Sequence, residues 1–162
     1  MTKELEEKLF KRFSFFHPEA SIQESLMAFG FECDDGWFDI IWQLCESLEK
    51  ENKRMIDELE PNDKTKLLLQ KGEPALFRVV QVKEKFGTLR FYTDLSSDGM
   101  EKLIRKAEKK SCITCEVCGK PGVLMARGYW YKTLCTECAK NESKDNEKYK
   151  PVRKSRTVKK GT

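Results

Sequence analysis

Cys115-Glu-Val-Cys118 and Cys135-Thr-Glu-Cys138 are two cysteine doublets with sixteen residues between them, the pattern C-x2-C-x16-C-x2-C. Four thiolates spaced this way are what a closed tetrahedral zinc site requires. A two-residue gap lets one tight turn aim both sulfurs at the same ion. The stretch between the doublets is long enough for a β-hairpin that carries the second turn back to the first. Gly119 follows Cys118 directly, where a knuckle turn calls for positive φ and no Cβ. The pattern specifies Zn2+ but not what the zinc domain binds.

Two other readings of these thiols compete. A redox C-x-x-C comes singly at a strand-to-helix junction, whereas here two doublets flank a hairpin-like stretch. Disulfides or ordinary thiols are the remaining alternative. Cys112-Ile-Thr-Cys115 is a nested C-x-x-C that overlaps the first doublet. Gly119-Lys120-Pro121-Gly122 supplies turn chemistry behind Cys115 and Cys118, which favours that pair and leaves Cys112 as a spare thiol. Four protein sulfurs leave no open coordination position, so the expected metal is structural.

Elsewhere no catalytic constellation emerges. The chain has no Gly-rich phosphate loop, no His-Glu-x-x-His, no nucleophile elbow and one histidine. With 36% charged residues, acid pairs on helices arise by chance. The expectation is a protein that is not an enzyme. The acidic residues of Phe31-Glu-Cys-Asp-Asp-Gly36 could form a hard-metal site, but Asp34 or Asp35 precedes an apolar-periodic run and is expected to cap its helix.

The 162 residues have room for one small core and a metal-stabilised module. No stretch approaches the roughly 20 apolar residues of a membrane span. The mixed-charge start Met-Thr-Lys-Glu-Leu-Glu-Glu-Lys lacks the apolar run of a signal peptide. An odd number of cysteines, seven, with zinc-type spacing points to a reducing compartment and a cytoplasmic location. Charge is unevenly placed. Lys140 to Thr162 holds nine basic against three acidic residues, leaving 22 basic and 24 acidic for the rest. The tail is basic and the remainder about neutral. Such a tail either solubilises the chain or touches a polyanion, and polarity of this degree ordinarily means disorder.

The elements that must carry the cysteines can be read from periodicity. Leu5, Leu9, Phe10 and Phe13 make one helical face over residues 4–13, and Phe15, Phe16, His17 and Pro18 end it. His17 is then a turn or packing residue. Ser21-Ile-Gln-Glu24 has the form of a capping box and predicts a short helix closed by Gly30. A long helix is expected over 36–59, with Trp37, Ile41, Leu44, Cys45, Leu48, Met55 and Leu59 on one stripe. After Leu48 the face thins, so its second half should project toward solvent or a partner. Pro61-Asn62-Asp63 stops it, and 64–70 reads as a short turn of helix. Residues 76–83 and 88–92 predict a hairpin about Phe86-Gly87, its Leu89 and Phe91 face lying on the helices. Ser97 or Asp98 caps a last helix with Met100, Leu103, Ile104 and Ala107 inward. The fold class is α+β: a helical body with a β-hairpin over 1–110, a zinc ribbon over 111–140 and a flexible basic tail over 141–162.

Two surfaces suit binding. Lys102, Arg105, Lys106 and Lys109 form a basic stripe opposite the apolar face of the last helix, which is either a phosphate track or a solvated outer face. In the zinc ribbon, 123–126 and 129–134 read as hairpin arms with Arg127-Gly128 at the tip. Trp130 is expected to pack inward, leaving Tyr129 and Tyr131 beside Arg127 and Lys132 to stack bases. Arg153, Lys154, Arg156, Lys159 and Lys160 of the tail would add phosphate contacts.

Three runs carry a wider likeness: Glu24 to Trp37 (ESLMAFGFECDDGW), Val82 to Tyr92 (VKEKFGTLRFY) and Cys115 to Gly122 (CEVCGKPG). With them the chain resembles a family of small zinc-ribbon proteins encoded by bacteriophages and prophages, over roughly residues 20–140. The resemblance implies phage origin and work inside an infected bacterium; it brings no activity, no catalytic residues and no match for the tail. The expected function is a non-enzymatic accessory protein whose zinc ribbon and basic tail bind nucleic acid or a host nucleic-acid-processing protein. The alternative is an inhibitor that binds a host defence protein.

Overall fold

The computed structural model describes residues 1–59, 69–70, 73–143 and 148–152. It is an α+β protein with two clusters of buried residues, one in the body and one around the cysteine doublets.

Helix α1 (Lys3–Arg12) buries Leu9, and the chain then turns extended at Phe13. Phe15 and Phe16 do more than end this helix. Val79 N–H donates to Phe15 O, Phe16 bridges Val79 in parallel, and both rings are buried. Phe15 stacks on Phe77 with centroids 4.8 Å apart, and Phe16 meets Phe31 edge-on at 5.2 Å. His17 packs as expected, mostly buried with Nδ1 3.3 Å from Glu19.

The expected helix after Ser21 does not form. Glu24 does reach back to the Ser21 amide and hydroxyl, the capping-box contact. Only a turn follows, because Ser25 is buried and starts a separate 3-10 turn, Leu26–Phe29, by accepting from Met27 N–H. Gly30 ends it with φ +74°. A second 3-10 turn, Asp35–Trp37, leads into α2 (Phe38–Asp57). Neither aspartate caps α2. Asp34 makes no capping bond, and its carboxylate instead takes the Lys132 ammonium at 2.6 Å, while Asp35 accepts from Thr2 N–H. The second half of α2 is also less free than its composition suggests: Asn52 is buried and accepts from Leu76 N–H at 2.9 Å.

Leu69–Gln70 (β1) and Glu73–Pro74 (β2) form a two-residue ladder, in place of helix at the end of 64–70. The Pro61-Asn62-Asp63 stop and the rest of that stretch lie outside the described residues. Strands β3 (Val79–Lys85) and β4 (Thr88–Thr93) make the expected hairpin. Its two-residue turn has Phe86 at φ 54° and Gly87 at φ 77°, the positive pair of a type I′ turn. Val82, Leu89 and Phe91 point into the core. Helix α3 (Asp98–Ser111) is capped by Ser97, which accepts from Met100 N–H, and lies on α2 and β4 through Met100, Leu103, Ile104 and Ala107.

After the first doublet, β5 (Val123–Arg127) and β6 (Trp130–Leu134) pair, α4 (Thr136–Asn141) follows, and β7 (Lys150–Pro151) adds to the free side of β5. Residues 148–152 of the basic tail are therefore integrated into the fold. Tyr149 joins Met125, Leu134 and Ala139 in the second core. Arg153, Lys154, Arg156, Lys159 and Lys160 lie outside the described residues.

Candidate metal centre

The first doublet sits in a knuckle made by short-range bonds. Cys115 N–H donates to Lys120 O at 2.7 Å, Gly119 N–H donates to Cys115 O at 2.9 Å, and Gly119 has φ +74°. The second doublet begins where β6 ends. Cys135 is the N-cap of α4, so its sulfur accepts from Cys138 N–H at 3.4 Å. All four sulfurs of Cys115, Cys118, Cys135 and Cys138 lie within 4.8 Å of one another, positioned to bind a metal ion. Cys112 is not among them: it is exposed, with its thiol 3.3 Å from Glu108 O on the last turn of α3.

The thiols are not equivalent. The Cys138 amide, chiefly, pulls Cys135 down to about 7, whereas burial pushes Cys115 and Cys138 up. Lys120 stands beside Cys118 and Cys135 and is tied to Glu137 at 3.1 Å, so one ammonium offsets part of the sulfurs' negative charge. Cys33 and Cys45 belong to the body core, where burial raises both thiols.

The knuckle is seated on the body by bonds that span long stretches of chain. Gly36 N–H donates to Glu116 O at 2.7 Å, Asp34 N–H to Glu116 Oε1 at 3.3 Å, and Trp37 Nε1–H to Thr114 O at 2.9 Å. Gly36 is obligatory by close approach. A Cβ there would fall 2.5 Å from Glu116 O and closer to Cys115 O and Gly119 N. From the other side, Thr133 Oγ1–H donates to Gly87 O at 2.7 Å, docking the β3–β4 turn on β6. The three runs quoted from the sequence thus meet in space: Glu32 bridges Lys83, and Gly36 sits in the knuckle.

Under the knuckle, Glu116 is buried and its carboxyl is pushed up to about 7 by that burial, with Lys132 pulling the other way. Burial opposes the Lys132 ammonium too, but its bond to Asp34 and the nearby Glu116 and Glu142 outweigh that and hold it above its ordinary value.

Several expectations about the ribbon surface need correction. Lys132 is spent on Asp34 and Glu142. Arg127 lies in β5 rather than at the tip; it donates to Glu142 O at 2.6 Å and covers the Tyr149 ring at 4.7 Å. The tip is Gly128-Tyr129, with positive φ at Gly128 alone, as in a type II′ turn. Trp130 does not pack inward and is 72% exposed; Tyr129 is 98% and Tyr131 36% exposed. Tyr149, rather than Trp130, fills the inner position, because strand β7 brings it under β5 from beyond the doublets. On α3, Lys102, Arg105, Lys106 and Lys109 are all exposed, with Arg105 paired to Glu101 at 3.3 Å. No helix is long and apolar enough to cross a membrane among the described residues. Comparison with protein-family models, curated proteins and solved structures yields no match.

Proposed function

We propose that this is a non-enzymatic, phage-type accessory protein whose zinc-stabilised ribbon presents a binding surface to nucleic acid in the cytoplasm of a host bacterium. The observation that carries the reading is the four-sulfur cluster supporting a hairpin with an exposed aromatic tip. Zinc–sulfur bonds of about 2.3 Å in a regular tetrahedron put sulfurs about 3.8 Å apart. Cys118 and Cys135 are 3.7 Å apart and no pair of the four exceeds 4.8 Å, so these donors suit zinc with shifts of about an ångström or less. Such an ion holds the fold and offers no position to a substrate. Exposed Tyr129 and Trp130 provide faces for bases, and the basic stripe on α3 provides charge for phosphates.

One observation favours a protein partner instead. With Arg127 and Lys132 turned to internal bonds, the ribbon tip is aromatic rather than basic, the kind of anchor that dominates protein interfaces. Fluorescence anisotropy with labelled oligonucleotides at several salt concentrations separates the two. Nucleic-acid binding falls steeply with salt through counterion release. A nuclease-resistant, salt-insensitive complex with a host protein, with no oligonucleotide bound at low salt, would overturn the nucleic-acid reading.

A further inference from the structure

The β3–β4 hairpin was expected only to cover the helices, yet its outer face carries two locally unfavourable choices. Alternation puts Val82, Leu89 and Phe91 inside and leaves three cross-strand pairs outside: Gln81 with Tyr92, Lys83 with Arg90, and Lys85 with Thr88. Like charges directly opposite across an antiparallel pair repel, so Lys83 facing Arg90 weakens the ribbon. Phe86 is the second unfavourable choice. It holds φ 54°, the only non-glycine residue with positive φ among those described, and its ring is 68% exposed. Asn or Gly would fill that turn position without the steric cost of a left-handed Cβ, and a solvent-facing ring gains nothing from burial.

Both choices make sense if the face meets an anion with flat, apolar groups. Lys83, Lys85 and Arg90 make no ion pair among the described residues. Of the nearby carboxylates, Glu32 accepts from Gln81 Nε2 at 2.7 Å at the edge of this face, and Glu84 turns back to Gly87 N–H. Arg90 is propped rather than neutralised, with Nη1 donating to Thr88 Oγ1 and to Leu89 O. Lys85 Nζ lies 5.8 Å from the Phe86 ring centre and Lys83 Nζ lies 6.0 Å from that of Tyr92, so charge and ring alternate along the ribbon. An open groove walled by Ile22 and Leu26 adjoins Tyr92 and Lys83. The turn is a rigid mount, since Gly87 O is tied to Thr133 and Gly87 packs against Leu124.

We infer that this ribbon face, from Tyr92 through Lys83, Arg90 and Lys85 to Phe86, binds single-stranded nucleic acid by phosphate contact and base stacking. The inference deepens the nucleic-acid reading above and rests on it. A duplex keeps its base faces stacked and offers Phe86 and Tyr92 nothing, which is why the single strand is the ligand.

The test compares full-length wild type with Phe86→Asn and with Lys83→Ala/Lys85→Ala/Arg90→Ala, using anisotropy on single-stranded and duplex oligonucleotides at several salt concentrations. Phe86→Asn should melt no lower than wild type, because Asn suits the turn, yet bind single strands roughly ten-fold more weakly through lost stacking. The triple variant should flatten the slope of log affinity against log salt by roughly 0.7 per lost contact. Single-strand binding that both variants leave unchanged overturns the ribbon assignment and leaves the broader reading standing. Duplex binding as tight as single-strand binding overturns the assignment as well. No wild-type binding to any oligonucleotide at low salt overturns both.

Discussion

Replacing Gly36 with Ala tests how the metal knuckle is held on the body. Gly36 lies in a 3-10 turn and is not among the glycines with positive φ, so its backbone suits Ala. On conformational grounds alone the change should stabilise the protein by about 0.4–1 kcal/mol. The surroundings reverse that sign. The new methyl would sit 2.5 Å from Glu116 O, where real Cβ atoms keep beyond 3.0 Å, and the neighbours it meets are backbone atoms pinned by the doublet. The closest of them, Cys115 O, would be nearer still, so relief requires the turn and the knuckle to part by at least about 0.7 Å. That strains three bonds together: Gly36 N–H to Glu116 O, Asp34 N–H to Glu116 Oε1, and Trp37 Nε1–H to Thr114 O. At about 1 kcal/mol each, less the conformational gain, the net loss is about 2–3 kcal/mol. For a chain of this size that lowers Tm by roughly 5–10 °C. Calorimetry gives the shift, and metal analysis shows whether the ion stays. Gly128→Ala is the control: its φ is +59° but nothing lies within 4 Å, so it should cost backbone strain alone, about 1–2 kcal/mol, and keep its metal. A Gly36→Ala protein that melts within 2 °C of wild type, or above it, refutes the seating described here.

Three further substitutions probe the packing and the surface. Tyr149→Ala removes the ring that closes the second core under Arg127 and should cost about 2–3 kcal/mol in a thermal melt, whereas a freely solvated tail residue would cost nothing. Ser111→Ala strips the acceptor for Leu89 N–H from a buried site, for a loss of about 1–3 kcal/mol by denaturant titration. Tyr129→Ala with Trp130→Ala should leave Tm within about 1 °C of wild type, since both rings are exposed, while weakening oligonucleotide binding by about 1–3 kcal/mol per stacked base.

The parts of this fold that were legible in the sequence are those set by local rules. Cysteine spacing, with the Gly119-Lys120-Pro121-Gly122 turn behind the first doublet, points to Cys115, Cys118, Cys135 and Cys138 and leaves Cys112 out, and capping chemistry narrows the cap of α3 to Ser97 or Asp98, of which Ser97 serves. Alternation placed Leu89 and Phe91 inside. What escaped depends on contacts between distant segments. Asp34 looks like a cap until Lys132, 98 residues away, claims its carboxylate. Gly36 reads as the first residue of the long helix, because nothing nearby in sequence announces a backbone approaching at close range. Trp130 reads as inward because a small module must cover its metal site, but Tyr149 arrives from the tail and does so. Phe86-Gly87 reads as a turn, but the strain and exposure of Phe86 follow from its φ and its ring's position in the fold.

The proposed structural zinc ion, and its locking of the ribbon to the body, are tested most directly by metal analysis paired with melts. Native mass spectrometry should find one zinc per chain in the wild type and in Cys112→Ser, and none in Cys135→Ser. Because metal binding supplies folding free energy, chelation should lower the wild-type Tm toward that of Cys135→Ser and expose Trp37 as the knuckle leaves the body. A wild type without metal that melts as a fully folded protein, unmoved by chelator, contradicts the account.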